Sequence, residues 1–228
     1  MENYFERTIQ AIGEAAFRRL QAANVIIFGV GGVGGWCAEA LVRTGITHLT
    51  MVDFDQVNPS NINRQLVATA ANIGQSKVEE LKKRLLLINP EAQITALTQR
   101  YSEETAPQFD LDAYDYVIDA IDSVPDKALL LLRAAASKAT VFASMGAGRK
   151  VDTTQIRVSS FKKVEGCPLA RALRQRIKKM ESFDQQMPSV TCVWSPELKS
   201  TIGTIAPVVG VFGMTLADLV IKDILTKC

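Results

Sequence analysis

Seven residues constrain this chain more than any others: Gly29-Val30-Gly31-Gly32-Val33-Gly34-Gly35. They follow a short apolar run, Asn24 to Val30 (NVIIFGV). They open a stretch with helical spacing through Val33, Cys37, Ala40 and Leu41, which Gly45 ends. A strand that breaks into glycines and restarts as a helix is the first turn of a nucleotide-binding βαβ unit. The glycines permit the tight turn and let backbone N–H groups approach a phosphate at the helix N-terminus. Asp53 ends the next apolar run, Thr47 to Asp53 (THLTMVD), about twenty residues on, where a carboxylate meets a ribose hydroxyl. The competing reading is a tight strand–helix turn with no ligand, and the placement of Asp53 weighs against it.

The alternation continues. Ser76 opens a helix with Glu79 in capping-box position, and Pro90 stops it after Asn89. Strands are predicted at Gln93–Leu97, Tyr114–Asp119 and Ala139–Ser144, with a helix from Pro125 to about Ser137 between the last two. Strands alternating with helices predict an α/β fold: a Rossmann-like, mostly parallel sheet with helices on both faces. After Lys150 the pattern changes to a smaller C-terminal α+β extension. It holds an edge or returning strand (Thr154–Phe161), a basic helix (Pro168–Met180), a short strand (Ser189–Trp194) and a last helix (Pro207–Thr226). Phe183 to Gly203 reads as a mobile polar segment near the site. No linker rich in Pro, Gly or Ser interrupts the chain, so residues 1–228 are expected to form one domain. Residues 1–150 would be the nucleotide-binding core and residues 151–228 its extension.

Composition removes other classes. A charged fraction of 22% beside 47% hydrophobic residues is a globular balance, not a disordered one. The 26 basic and 24 acidic residues leave no global nucleic-acid magnet, only room for a local basic patch. The single histidine, His48, excludes a multi-histidine metal site. Cys37, Cys167, Cys192 and Cys228 form no CxxC pair, so no paired-CxxC zinc site is present. They suggest no disulfide framework either, which favours a reducing, cytoplasmic setting. Residues 202 to 221 carry one charge, Asp218, but also Pro207 and Gly203, Gly210 and Gly213. A buried helix fits them better than a membrane span.

Two further groups carry chemistry. Arg64 follows Asp53 by eleven residues, and Lys77 starts the helix after Ser76. Two cations facing a nucleotide loop suit a triphosphate better than a dinucleotide, whose pyrophosphate is served by backbone alone. The plainer alternative is that both are solvated surface charges. Asp119 and Asp122 then stand at the carboxyl end of a predicted strand, where open α/β sheets bind ligands. They suit Mg²⁺ bridging the phosphates. Alternatively, Asp122 caps the helix that starts near Pro125 and Asp119 bonds neighbouring backbone.

In order, GVGGVGG, DFDQVNPSNINRQ (Asp53–Gln65), GQSKVEE and DAIDS resemble the adenylyltransferases related to ubiquitin-activating enzymes. That group includes the activators of the sulfur carriers for molybdopterin and thiamine synthesis. RTGI (Arg43–Ile46), YDYVIDAIDS (Tyr114–Ser123), SMGAG (Ser144–Gly148) and CPLARALR (Cys167–Arg174) are similar, within that group, to the tRNA threonylcarbamoyladenosine dehydratases. The resemblance implies ATP as the nucleotide, bound by Gly29, Gly31, Gly32 and Gly34, with Asp53 on the ribose. It implies phosphate contacts from Asn61, Arg64 and Lys77, with Asp55 and Gln65 in the same binding set, and Mg²⁺ at Asp122. Arg7 matches an arginine that reaches the neighbouring subunit's ATP, which implies a homodimer. The implied catalytic set is Arg7, Arg64, Lys77 and Asp122. Ser123 stands where many relatives have asparagine, and Lys127 where several have arginine.

The implied reaction is adenylation of a carboxylate on tRNA, followed by intramolecular ring closure that expels AMP. No covalent enzyme intermediate is required. The rivals are adenylation of a ubiquitin-like sulfur carrier, disfavoured by the missing zinc motif, and NAD-dependent oxidoreduction, disfavoured by Arg64 and Lys77. A third is a non-enzymatic ATP-binding scaffold that recruits a sulfur-relay partner, a sulfurtransferase. Cys167, before Pro168 at a helix start, reads as a packing cysteine rather than a nucleophile. Arg171, Arg174, Arg176, Lys178 and Lys179, with Lys162 and Lys163, form either a tRNA-facing patch or a solvated face.

Overall fold

The computed structural model describes residues 4–180 and 189–227. One sheet of seven strands organises it: β1 (Asn24–Phe28), β2 (His48–Val52), β3 (Gln93–Leu97), β4 (Tyr116–Asp119), β5 (Thr140–Ser144), β6 (Arg157–Ser160) and β7 (Thr191–Trp194). The order across the sheet is β3-β2-β1-β4-β5-β7-β6. All pairs are parallel except β6–β7, where Arg157 stands opposite Trp194.

The near-continuous apolar run of β1 has a simple cause. Both faces of the strand are covered, as central parallel strands require. Val25 and Ile27 point into one apolar cluster, Ile26 and Phe28 into the other. The first cluster is closed by α2 (Glu14–Ala22), α3 (Gly34–Thr44), α4 (Lys77–Ile88) and α7 (Ala206–Thr226). The second is closed by α5 (Val124–Ala135) and α6 (Pro168–Ile177). An exposed helix, α1 (Glu6–Ile12), precedes α2 and buries no residue of its own.

The C-terminal region is not a separate appendage. β7 extends the parallel sheet beside β5, and α7 lies along α3. A Cβ at Gly213 of α7 would fall 2.5 Å from the Val33 carbonyl, so glycine there permits a backbone-close crossing at the start of α3. Among the described residues no helix is long and apolar enough to cross a membrane.

Four details differ from the sequence reading. The N-terminal helices α1 and α2 were not anticipated. Ser76 occupies the N-cap of α4, but its hydroxyl pairs with Thr98 Oγ1 at 2.9 Å and makes no capping bond. The expected strand at Thr154–Phe161 shortens to β6 between two 3₁₀ turns. The segment Phe183–Gly203 contains β7 and the loop after it, while its residues 183–188 lie outside those described, as does Cys228.

Candidate functional site

In an open parallel sheet, ligands bind beyond the strand carboxyl ends where the strand order reverses. Here that point lies between β1 and β4. The glycine loop leaves β1 and the Asp122 loop leaves β4, and a cavity of about 970 Å³ opens above them.

Gly29 turns the chain out of β1 at φ +86°. A Cβ there would meet the Ala120 carbonyl oxygen at 2.8 Å, so the two loops rest backbone to backbone. Gly34 is equally constrained, since its Cβ would overlap the Gly29 carbonyl. Gly29, Gly31 and Gly32 line the cavity, and Gly34 lies just inside the turn. Val209, at the start of α7, packs against Gly32 and lines the same cavity.

Asp53 is what fixes this loop to β2. Its Oδ2 accepts the Val30 N–H at 2.8 Å, and its Oδ1 accepts the Asp55 N–H at 2.9 Å. Burial pushes the Asp53 carboxyl above the usual aspartate range, with those two backbone bonds pulling the other way. Asp53 lines the cavity, and each oxygen keeps a second acceptor site toward it.

The cations are not loose. Lys77 is buried and its ammonium pairs with Asp55 Oδ2 at 2.8 Å. Arg64 donates to the Ser60 carbonyl at 2.7 Å and to Asn63 Oδ1 at 2.8 Å, and the Trp36 indole holds its own carbonyl. Lys77, Asp55, Arg64 and Gln65 all line the cavity. Gln65 Oε1 is buried without a partner, while the Nε2 of the same side chain lies 3.6 Å from the Cβ position of Gly31. Asn61 does not line the cavity; its Oδ1 accepts the Asn58 N–H and shapes the turn that carries Arg64. Arg7 sits on exposed α1 and lines no part of this chain's cavity.

The two aspartates after β4 separate. Asp119 is fully buried and pairs with equally buried Lys127 at 2.8 Å, while also accepting the Ile121 N–H. Burial raises the Asp119 carboxyl above its ordinary range and Lys127 opposes it. Asp119 is therefore not a cavity ligand, contrary to the paired-carboxylate reading. Asp122 lines the cavity, and Ser123 rather than Asp122 takes the N-cap of α5. Among the described residues no three His, Cys, Asp or Glu cluster for a metal. One free carboxylate beside a phosphate site does suit Mg²⁺, which takes one or two protein carboxylates and completes its shell from phosphates and water.

Two features escaped the sequence reading. Phe54, Arg100 and Asp126 line one flank: Arg100 bonds Asp126 at 2.8 Å and its guanidinium lies 5.6 Å from the Phe54 ring centre. On the opposite flank the turn after β5 meets the loop Ile202–Thr204. Arg149 in that turn adopts φ +62°, which no sequence signal reports for an arginine. The exposed aromatic directly after Asp53 was the one available clue to the first. Cys167 is buried at the start of α6, and Cys37 and Cys192 are buried too. Burial pushes the Cys192 thiol up to about 12.

The glycine turn, the strand-end aspartate and two ordered cations around one cleft define a Rossmann-like nucleotide-binding protein with a phosphate-handling site. The chain belongs to the ThiF family, whose model matches residues 5–228. It is 38% identical over 196 residues to the tRNA threonylcarbamoyladenosine dehydratase of Escherichia coli K12, covering 85% of this chain and 73% of that protein. It is 38% identical over 179 residues to the protein of the same name from Bacillus subtilis 168, covering 78% and 70%. The crystal structure of the E. coli enzyme, TcdA, in complex with ATP superposes with a TM-score of 0.93 at 35% identity, over 98% of this chain and 94% of that one.

Proposed function

We propose that this protein is an ATP-dependent tRNA threonylcarbamoyladenosine dehydratase. It would adenylate the threonyl carboxylate of the modified adenosine beside the anticodon and close the ring within the same nucleotide. The observation that carries this reading is the meeting of the glycine loop, Asp53, Arg64, Lys77 and Asp122 around one cavity, in a chain that superposes on an ATP complex of such an enzyme.

A carboxylate is a poor electrophile, and transfer of AMP to it supplies a leaving group. Attack on the α-phosphorus concentrates negative charge, so catalysis is positioning plus charge neutralisation. Lys77 and Arg64 would exchange their present protein acceptors for phosphate oxygens. Asp53 would hold the ribose while keeping the loop folded. Asp122 would hold Mg²⁺, which supplies charge neutralisation across the phosphates. Ring closure then forms a bond from the carbamoyl group to the activated carbonyl carbon and releases AMP. No step needs a thiol, in keeping with buried Cys167.

We further read the whole chain as one working domain, with residues 151–228 completing the substrate side. Arg7 would serve the partner's site in a cytoplasmic homodimer. A sulfur-relay protein would be an accessory, not a requirement.

ATP–pyrophosphate exchange with Mg²⁺ tests the reading. Exchange that appears only with tRNA bearing threonylcarbamoyladenosine is expected. Exchange that instead requires a carrier protein ending in Gly-Gly would overturn it in favour of carrier activation. Binding of ATP without exchange under either condition would leave only a scaffold.

A further inference from the structure

Asn63 lines the cavity beside Arg64 but holds none of the binding roles assigned so far. Its side chain makes two bonds. Oδ1 accepts from Arg64 Nη1 at 2.8 Å, and Nδ2 donates to the Thr204 carbonyl at 3.2 Å. The pair of bonds dictates which way the amide points. Turned over, it would set its NH₂ against the guanidinium, donor against donor, and its oxygen against a carbonyl, acceptor against acceptor. One orientation alone satisfies both neighbours.

Thr204 gives that amide a fixed anchor. The Thr204 hydroxyl donates to the Ala147 carbonyl at 3.0 Å, and the adjacent Gly203 carbonyl accepts the Arg149 N–H at 2.6 Å. The Arg149 guanidinium ties the same loop a second time, through the carbonyls of Lys199 at 2.8 Å and Ser200 at 3.0 Å. The loop Ile202–Thr204 is thus bonded directly to the turn after β5. Order passes from the end of β5 through Thr204 to the Asn63 amide.

Arg64 needs such a hold. Its backbone N–H donates to the Asn61 carbonyl at 3.1 Å, and its own carbonyl accepts the Trp36 indole at 3.3 Å. Those bonds pin the main chain and leave the guanidinium to be placed by others. Only Nη1 is engaged: it gives one hydrogen to the Ser60 carbonyl at 2.7 Å and the other to Asn63. Among the described residues Nε and Nη2 have no acceptor, in a side chain that lines the cavity. A guanidinium edge with two such nitrogens is the fork that matches a phosphate. A long side chain loses much rotamer freedom when a ligand orders it, and holding it beforehand reduces that loss on binding.

We propose that Asn63 is the positioning residue for Arg64: its amide, anchored on Thr204, aims the guanidinium at the phosphates of the nucleotide. This rests on the reading of Arg64 as a phosphate contact and adds what aims it. Asn63 itself touches no ligand and acts through its neighbour.

A double-mutant cycle on nucleotide affinity tests this. Wild type, Asn63→Ala, Arg64→Ala and the double variant are each titrated with a non-hydrolysable ATP analogue and Mg²⁺. Asn63 is exposed on its turn, so truncating it removes no core packing. Bonds to a charged group are the stronger kind, and Asn63→Ala should weaken binding by about fivefold. Arg64→Ala should weaken it by about tenfold or more. Lys77 and the glycine loop remain in that variant, so its binding stays measurable. In the Arg64→Ala background, removing Asn63 should change affinity by less than about twofold, because the residue it acts through is gone.

A fivefold loss that persists in the Arg64→Ala background would mean that Asn63 meets the ligand directly or supports the fold at large, and overturns the proposal. So does an Asn63→Ala protein with wild-type affinity. A failure of the wider reading shows elsewhere. A wild type that binds the analogue and shows the coupling, yet never exchanges pyrophosphate with the modified tRNA, removes the dehydratase reading and leaves Asn63 its role. A wild type that does not bind the analogue removes both.

Discussion

Lys77 Nζ stands 2.8 Å from Asp55 Oδ2, with 5% of the lysine side chain exposed and 48% of the aspartate. The cation is desolvated and pointed, and its present partner is the more exposed of the two. A triphosphate can therefore take the place of Asp55 without the lysine having to move far. Removing one pre-aligned donor from developing charge costs about 10²–10³ in rate. Lys77→Met should lower ATP–pyrophosphate exchange by that factor. Asp55→Ala removes only the orienting partner and should cost about tenfold at most. Equal losses in the two variants would show that the pair acts structurally.

Beneath the Asp122 loop, Asp119 and Lys127 form an ion pair with both side chains fully buried. Breaking such a pair by removing one partner costs about 3–5 kcal/mol, because the other charge is left stranded. Lys127 also donates to the Asp119 carbonyl, so the loss falls on the strand end that supports Gly29. Lys127→Met should lower Tm by about 6–20 °C in a chain of this size. Thermal unfolding with and without ATP measures it. An unchanged Tm would mean that the pair contributes nothing net.

The glycine turn, Asp53 and the strand alternation were readable because each is written locally. β1 shows an apolar run because both faces are covered, and Gly29 is glycine because its Cβ would strike Ala120. What could not be read depends on contacts distant in sequence. Asp119 looked like a metal ligand until its distance to Lys127 was known. Ser76 looked like a cap until Thr98 appeared beside it. Arg174 counted among the basic patch, yet its guanidinium is spent on the carbonyls of Phe161 and Val164. α1 spans two turns with only Ile9 and Ile12 as its large apolar residues, and it buries neither fully, too short a stripe to mark a helix.

That sorting sharpens the question of RNA contact. On α6 Arg171 and Arg176 are exposed, as are Lys178 and Lys179 just after it, whereas Arg174 holds the preceding turn. Each phosphate contact contributes about 0.7–0.9 to the slope of log K against log salt. Reversing Arg171, Arg176 and Lys179 to glutamate should weaken tRNA binding and flatten that slope by about two to three. Arg174→Ala should instead lower Tm. Binding isotherms at several salt concentrations separate the two, and an unchanged slope would make α6 a solvated face.

Glu39 on α3 ties α4 to it. Its carboxylate takes Arg84 Nε at 2.5 Å and Arg43 Nε at 2.9 Å. Burial alone would raise this carboxyl, but hydrogen bonds from Arg84 and Arg43 outweigh it and hold it below the usual glutamate range. A depressed carboxyl contributes stability above its unfolded value near 4.5, and loses it as pH falls through the folded value. Glu39→Gln should therefore cost about 1–3 kcal/mol at neutral pH, discounted because both arginines are partly exposed. The gap between wild type and variant should be constant above pH 5 and close below it. Urea melts from pH 7 down to pH 3 would show this, and a gap independent of pH would remove Glu39 as the titrating group.

Arg7 is exposed on α1 and lines no part of its own chain's cavity, so a catalytic role for it requires a second copy. Each site in a two-fold dimer would then draw Lys77 from one chain and Arg7 from the other. Arg7→Ala and Lys77→Met proteins should each be nearly inactive alone. In a mixed dimer one site inherits both defects and the other inherits neither. Random exchange at equal amounts makes half of all dimers mixed, so about a quarter of wild-type exchange activity should return. Activity measured after co-refolding the two variants tests this directly. No recovery, with mixed dimers confirmed by differently tagged chains, would place Arg7 outside the reaction.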